Sequence, residues 1–342
     1  MRRLTSLLLF APVLLGGLPG HLLAQDQTVE MKEWTVPWER SRPRDPYVAP
    51  DGLVWFVGQA GNYIAHLDPR TGAFKRYEID EGVHPHNLIV APNGTVWYAG
   101  NRAAHIGKLD PTTGQITKFP MPNPSVRDPH TLVFDQKGDI WFTAQGGNHV
   151  GKLTVATGEV KLIAVPIERS RPYGIAIDSK GRPWINLMGA DKLATVDPQT
   201  MELELIQMPR EGSHSRRIGI TSDDRIWYVD YNGGYLGVYD QKTKQFEEWL
   251  LPSGAQSRPY AMAVDDKDRV WVVETGVQPN RFVGFDPKTK TFFSNTPVLS
   301  NGAERNTVRH MYFHPPTGEI WFGTDANTIG RALVSPPVRT DE

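Results

Sequence analysis

Seven side chains suited to acid–base or anion chemistry recur along this chain. They are Arg44, His86, His130, Tyr173, Arg216, Tyr260 and His310, each eleven positions before a tryptophan. None is aliphatic or acidic. Two positions earlier stand Arg42, His84, Asp128, Arg171, His214, Arg258 and Val308. With His105 and His149, seven of the ten histidines fall in these recurring places. A merely solvated rim would mix in Ser, Asn, Glu and Lys. Guanidinium forks with imidazole and phenol donors instead suit a ligand that presents anionic or carbonyl oxygens. Arg171, Arg216, Arg258, His86, His130, Tyr173 and Tyr260 are therefore the candidate substrate-binding residues.

Acids join them on one side only. Asp230, Glu274 and Asp325 follow their tryptophans by three to four positions, where the earlier copies hold Gly58-Gln59, Gly100-Asn101, Ala144-Gln145 and Leu187-Met188. Carboxylates there would suit a hard cation such as Mg²⁺ or Ca²⁺, or would raise the proton affinity of a neighbouring imidazole acting as base. Salt bridges to the arginines are the plainer alternative. No Cys occurs in the chain, which excludes thiolate metal sites, a Cys nucleophile and disulfides. No G-x-S-x-G, phosphate loop or H-E-x-x-H occurs either.

The elements that position these residues are repeats. Trp55, Trp97, Trp141, Trp184, Trp227, Trp271 and Trp321 are spaced by 42, 44, 43, 43, 44 and 50 residues. A period in this range marks a solenoid or a propeller. Each copy reads as four short strands; in the second these are Asn87–Ala91, Thr95–Ala99, Ile106–Leu109 and Ile116–Phe119, with Pro-Asn-Gly and Asp-Pro-x-T-G turns between them. No long 3.6-period stripe appears, so helices should be nearly absent. The fold class is all-β, a seven-bladed β-propeller. The seventh copy stops after three strands, and Val36–Pro43 resembles Val165–Pro172, so Val29–Val36 should complete the last blade and close the ring. In a four-stranded blade the innermost strand begins, and the second ends, on one face. The recurring residues would then converge on one mouth of the central channel. Two longer connections, Thr275–Arg281 and Leu299–Arg305, are either part of a binding face or neutral surface variation.

The repeat form proline–His/Tyr–x–apolar, Gly-x-apolar-Trp-Phe and Asn-x-Ile/Val-Gly-Lys/Arg is carried here by Asp128-Pro129-His130, Ile140–Thr143 and Asn148–Lys152. It resembles the streptogramin lyase (virginiamycin B lyase) family over essentially all of Val29–Val334. That resemblance implies a seven-bladed fold and opening of a cyclic depsipeptide at its ester bond by elimination. It implies His310 as the base and Mg²⁺ as the cofactor, with Asp325 as one ligand. The family's second metal glutamate falls on Val308 and its substrate-contacting histidine on Tyr260; Glu274 is the candidate replacement ligand. A metal-dependent lactonase or hydrolase and a non-enzymatic binding propeller are the alternatives.

Met1–Ala24 reads as a secretory leader cleaved after Ala24, with two arginines, a short apolar run from Leu7 to Leu15 and small residues. That implies a periplasmic or secreted protein, whose mature residues 25–342 form one propeller domain. Without the leader the chain carries 35 basic and 38 acidic side chains. Such a balance gives no pull toward nucleic acid or an anionic membrane. The expected partner is a small molecule bearing ester or carboxylate groups, and the protein is read as a monomer.

Overall fold

The computed structural model describes residues 27–299 and 303–335. The leader expected at residues 1–24 lies outside them. Seven four-stranded antiparallel sheets form the blades of a ring. The first blade is β2 (Pro43–Val48), β3 (Val54–Gly58), β4 (Tyr63–Leu67) and β5 (Phe74–Glu78), taken from the channel outward. The second begins with β6 (Leu88–Val90) and β7 (Val96–Gly100), close to the strands read from its turns. The only helix among the described residues is a single 3₁₀ turn, Gly254–Gln256. No helix among them is long and apolar enough to cross a membrane.

Burial follows position in the blade. Second strands such as Val54–Gly58 are buried throughout, because neighbouring blades cover both faces. The outermost strands alternate, as in β1 (Glu30–Thr35), because one face meets water. The apolar cores accordingly lie between blades; one joins Trp55, Val57 and Ile64 of the first blade to Leu88, Val96 and Tyr98 of the second.

The ring closes as the sequence indicates. β1 pairs antiparallel with β28 (Thr328–Leu333), from Glu30 opposite Leu333 to Thr35 opposite Thr328. The last sheet therefore runs β26 (Val308–His314), β27 (Glu319–Thr324), β28, β1. The first longer connection is tied to the residue that follows the second: the Gln278 amide donates to Asn306 O at 2.9 Å and accepts from Asn306 N at 3.2 Å.

Four of the repeat tryptophans anchor their blades through the indole N–H. Trp141, Trp184 and Trp271 donate from Nε1 to Asp135, Asp178 and Asp265 at 3.2, 3.0 and 2.9 Å. Each of these carboxylates also accepts two backbone N–H bonds from the turn that follows it. In the fifth blade Thr221 Oγ1 takes the indole N–H at 3.1 Å.

Candidate functional site

Strand register changes the level assigned to the seventh blade. The residue paired opposite the position three after each tryptophan is Pro43, Pro129, Pro172 and Pro259 in blades one, three, four and six, and Val308 in blade seven. The ring residue that follows is thus Arg44, His130, Tyr173 and Tyr260, but Arg309 in the last blade. Counting back from Trp321 points to His310 because the β26–β27 hairpin is one residue longer. Phe313 and Ile320 pair there, against Phe134 and Ile140 in blade three. Backbone bonds agree. Asp325 N donates to Thr307 O as Gln59 N does to Arg42 O and Met188 N to Arg171 O. Thr307, not Val308, is therefore the counterpart of the rim arginines, and Val308 is fully buried.

Two consecutive residues of an inner strand enter the channel because the strand is bulged there. The register shifts just after the paired proline in blades three, four and six, after Arg44 in blade one and after Val308 in blade seven. A bulge sets two residues against one and re-aims their side chains. The result is two stacked layers. The mouth layer holds Arg44, His86, His130, Tyr173, Arg216, Tyr260 and Arg309. One position on, the inner layer holds Asp45, Asn87, Thr131, Gly174, Arg217, Ala261 and His310. At Gly174 a Cβ would lie 2.6 Å from Arg216 O, so the strands approach too closely there for a side chain.

The mouth layer is packed against itself. The His86 and His130 rings lie 3.7 Å apart and those of His130 and Tyr173 4.2 Å apart. The Tyr173 and Tyr260 hydroxyls share a short hydrogen bond. Arg216 lies 4.6 Å from the Tyr260 ring centroid and 4.2 Å from that of Tyr231. Burial raises the Tyr260 phenol, but the guanidiniums of Arg44, Arg217, Arg216 and Arg309 outweigh it and bring it down to about 7. Burial pushes Tyr173 up to about 12. Arg171 and Arg258 stand exposed outside this layer with left-handed backbones, φ 51° and 42°.

The inner layer is a polar network around one carboxylate. Asp45 accepts from Asn87 Nδ2 at 2.9 Å and lies 3.6 Å from Arg217 Nη2 and 3.7 Å from Arg44 Nε. Arg217 also donates to Thr131 Oγ1 at 3.2 Å and to Arg309 O at 3.0 Å. Burial would raise Asp45, but His310, Arg217 and Arg44 overcome it and hold it down to about 2. Sequence reasoning passed over Asp45 and Arg217. The available signal was a polar residue directly after five of the seven ring residues, Gly174 and Ala261 being the exceptions, where an alternating strand would place an aliphatic one.

The three channel imidazoles differ. His86 Nδ1 donates to His130 O at 3.1 Å, and His130 Nδ1 meets Thr131 Oγ1 at 2.8 Å. Neither Nδ1 is available. His310 Nδ1 is buried with no hydrogen-bond partner, as is Asp45 Oδ1, while the ring lines a channel cavity of about 470 Å³ with Asn87, Thr131 and Arg217. Burial, with Arg217 and Arg44 nearby, holds His310 down to about 4 against the pull of Asp45, so it is neutral near pH 7. His105 and His149 bond carbonyls of their own turns, Ala103 O and Gly147 O.

The acids read as a cation site do not gather. Asp230 and Glu274 lie three positions after their tryptophans and Asp325 four, so strand alternation sends them to different faces. Asp325 meets the mouth layer, but Arg309 holds it at 2.6 and 3.2 Å, with Arg42 at 3.6 Å. Gln59 at the same position bonds Arg44 at 3.0 Å. Glu274 is fully buried and spends both oxygens on Ser253, one on its backbone N–H and one on its hydroxyl. Asp230 accepts from Gly233 N at 2.7 Å. Among the described residues no three His, Asp or Glu side chains are grouped to hold a metal ion. The residues present do not fit Mg²⁺.

The model of the virginiamycin B lyase family matches residues 29–332. No curated protein sequence matches the chain. A streptogramin B lyase structure superimposes with TM-score 0.80 at 25% identity, over 90% of this chain and 98% of that one. Virginiamycin B lyase from Staphylococcus aureus gives 0.80 at 21%, over 90% and 100%. A catalytically inactive histidine-to-alanine variant of that enzyme, with quinupristin, gives 0.80 at 22% over the same shares.

Proposed function

This chain belongs to the virginiamycin B lyase family, and on that premise we propose that it is a carbon–oxygen lyase working by elimination, with His310 as proton acceptor. The observation that carries the reading is that His310, neutral like the other channel imidazoles, is alone among them in having an uncommitted Nδ1 and lining open space beside a guanidinium. A histidine whose replacement inactivates the Staphylococcus aureus relative supports an imidazole in that role.

The chemistry follows from the inner layer. An ester or cyclic depsipeptide-like substrate whose alcohol portion carries a second carbonyl, placed so that the C–H next to it is β to the ester C–O bond, sets that second carbonyl oxygen toward Arg217, whose charge acidifies the C–H. His310 takes that proton. The electron pair left on carbon forms a C=C bond, and the neighbouring C–O bond breaks with the carboxylate as leaving group. Asp45 stabilises the imidazolium, and the proton then passes to water. Arginine does here what a cation would do at the carbonyl, so no step needs a metal. The leader-like Met1–Ala24 supports action in the periplasm or outside the cell.

A panel of cyclic depsipeptides, lactones and uronate-type esters tests this, with and without a chelator. A product with a new C=C bond, formed equally with chelator and abolished in His310→Ala, is the expected result. Solvent oxygen in the acyl product, or full activity in His310→Ala, would overturn it. A second reading, binding without turnover, is favoured by the closed mouth layer, where Arg44, His86, His130, Tyr173 and Tyr260 are each at most 6% exposed.

A further inference from the structure

We infer that the channel cavity beneath the inner layer binds an amphipathic small molecule, with one carboxylate or acyl head at Arg217 and an apolar body along the channel. The inference rests on the reading that His310 meets its substrate from this cavity, and it names the class of that substrate.

The cavity is chemically one-sided. Its walls are inner-strand aliphatics, among them Ile89, Leu132, Ile175, Ile218, Met262 and Met311. Among the described residues Arg217 is the one permanently charged side chain on its lining, and it sits at the inner end with Asn87, Thr131 and His310. Arg217 is 3% exposed, and its Nη2 has no hydrogen-bond partner. The carboxylate beside it is shared: Asp45 serves Arg44 and Arg217 at 3.7 and 3.6 Å and also takes the Asn87 amide. Two buried guanidiniums thus face one carboxylate, and a neutral His310 adds no charge. A buried guanidinium left with unmet donors is costly, and a ligand oxygen would satisfy it.

The other end supplies length. A groove of about 610 Å³ shares Tyr47, Phe134, Tyr312 and Pro315 with the cavity. Tyr47 and Tyr312 stack at 4.1 Å along that shared wall. Among the described residues, charged side chains reappear in the groove, as Lys108 and Asp135. A cationic end, aliphatic walls and an aromatic exit match a head, a body and a tail that leaves toward solvent. A short polar ester would leave the aliphatic walls in contact with water, whereas an apolar body removes that surface from it.

Calorimetric titration with octanoate, laurate and dodecanol tests the inference without turnover. Laurate should bind at one site, about tenfold or more tighter than octanoate and than dodecanol. Ile218→Trp, which fills the cavity, should weaken laurate by about tenfold or more, while Lys161→Ala on an exposed outer strand should leave it unchanged. If Ile218→Trp does not fold, Met262→Phe serves the same purpose. Affinity independent of chain length, equal affinity for dodecanol, or binding untouched by the filling variants would overturn the inference. The two readings fail separately. Laurate binding as expected with no elimination from any ester would sink the lyase and leave this site. Elimination from short polar esters that laurate does not inhibit would sink this site and leave the lyase.

Discussion

At the scale of single residues, the channel is a set of bases kept uncharged by burial. His310 is held down to about 4, and His86 and His130 lie well below the ordinary 6.5. A base works in its neutral form, so if His310 is the proton acceptor, kcat/KM should stay level from neutral pH downward and fall only with a midpoint near 4. A limb near 6.5 would point to a solvated imidazole elsewhere. The same depression has a consequence for stability. Between 6.5 and the lowered values the unfolded chain binds more protons than the folded one, so stability rises with pH through that window. The contribution of these imidazoles is complete above 6.5 and lost as pH falls toward 4. Denaturant midpoints at steps across that range should fall steadily. A flat series would mean that the three rings are already charged or solvated in the fold. His310 was legible as chemistry from its type and spacing. Its layer was not, because the residue that displaced it sits in a turn far from the site.

At the scale of elements, the bulge and the hairpin decide what the channel contains. Strand alternation alone sends one residue in two toward the channel; the bulge after each paired proline sends two in a row. Asp45, Asn87, Thr131 and Arg217 are therefore functional candidates that a period-two reading assigns to the opposite face. The acids of the later blades illustrate the converse. Glu274 and Asp325 looked equivalent at three to four positions past their tryptophans, yet one position separates a carboxylate bound to Ser253 from one bound to Arg309. Four of the repeat tryptophans are also hooks. Asp265 takes the Trp271 indole N–H and the backbone N–H groups of Lys267 and Arg269. Asp265→Ala leaves a buried indole donor and a turn unsatisfied, and should cost about 2–4 kcal/mol in urea unfolding, from the penalty of each orphaned group. Asp265→Asn should recover part of that. A loss under about 0.5 kcal/mol for the alanine variant would place the turn's stability elsewhere.

At the scale of the molecule, the fold was legible because repetition is a long-range signal that survives local ambiguity. Seven tryptophans in step, breaker-rich turns and a seventh copy lacking its last strand together specified the ring and how it closes. The pocket was less legible, since spacing fixes which residues share a mouth and not whether they pack shut upon it. Closure is also where the whole ring is most vulnerable. The N-terminal strand contributes six paired residues to the last blade. Trp34 stacks on Trp321 at 5.6 Å, and Val29 and Val36 belong to the cores on either side of that blade. Asn327 Nδ2 ties Val36 O and Trp38 O at 3.0 and 2.9 Å, and Val29 N reaches back to Thr296 Oγ1 at 3.0 Å. Removing residues 26–38 would strip β28 of its partner and open two apolar interfaces at once, turning a closed ring into a sheet edge. The truncated protein should lose about 10 °C or more in Tm, or fail to unfold cooperatively. A synthetic peptide spanning residues 27–38 should restore part of the loss by adding itself as the missing strand. A truncated protein that melts within about 2 °C of the parent, with no response to the peptide, would show that the ring holds without its closing strand.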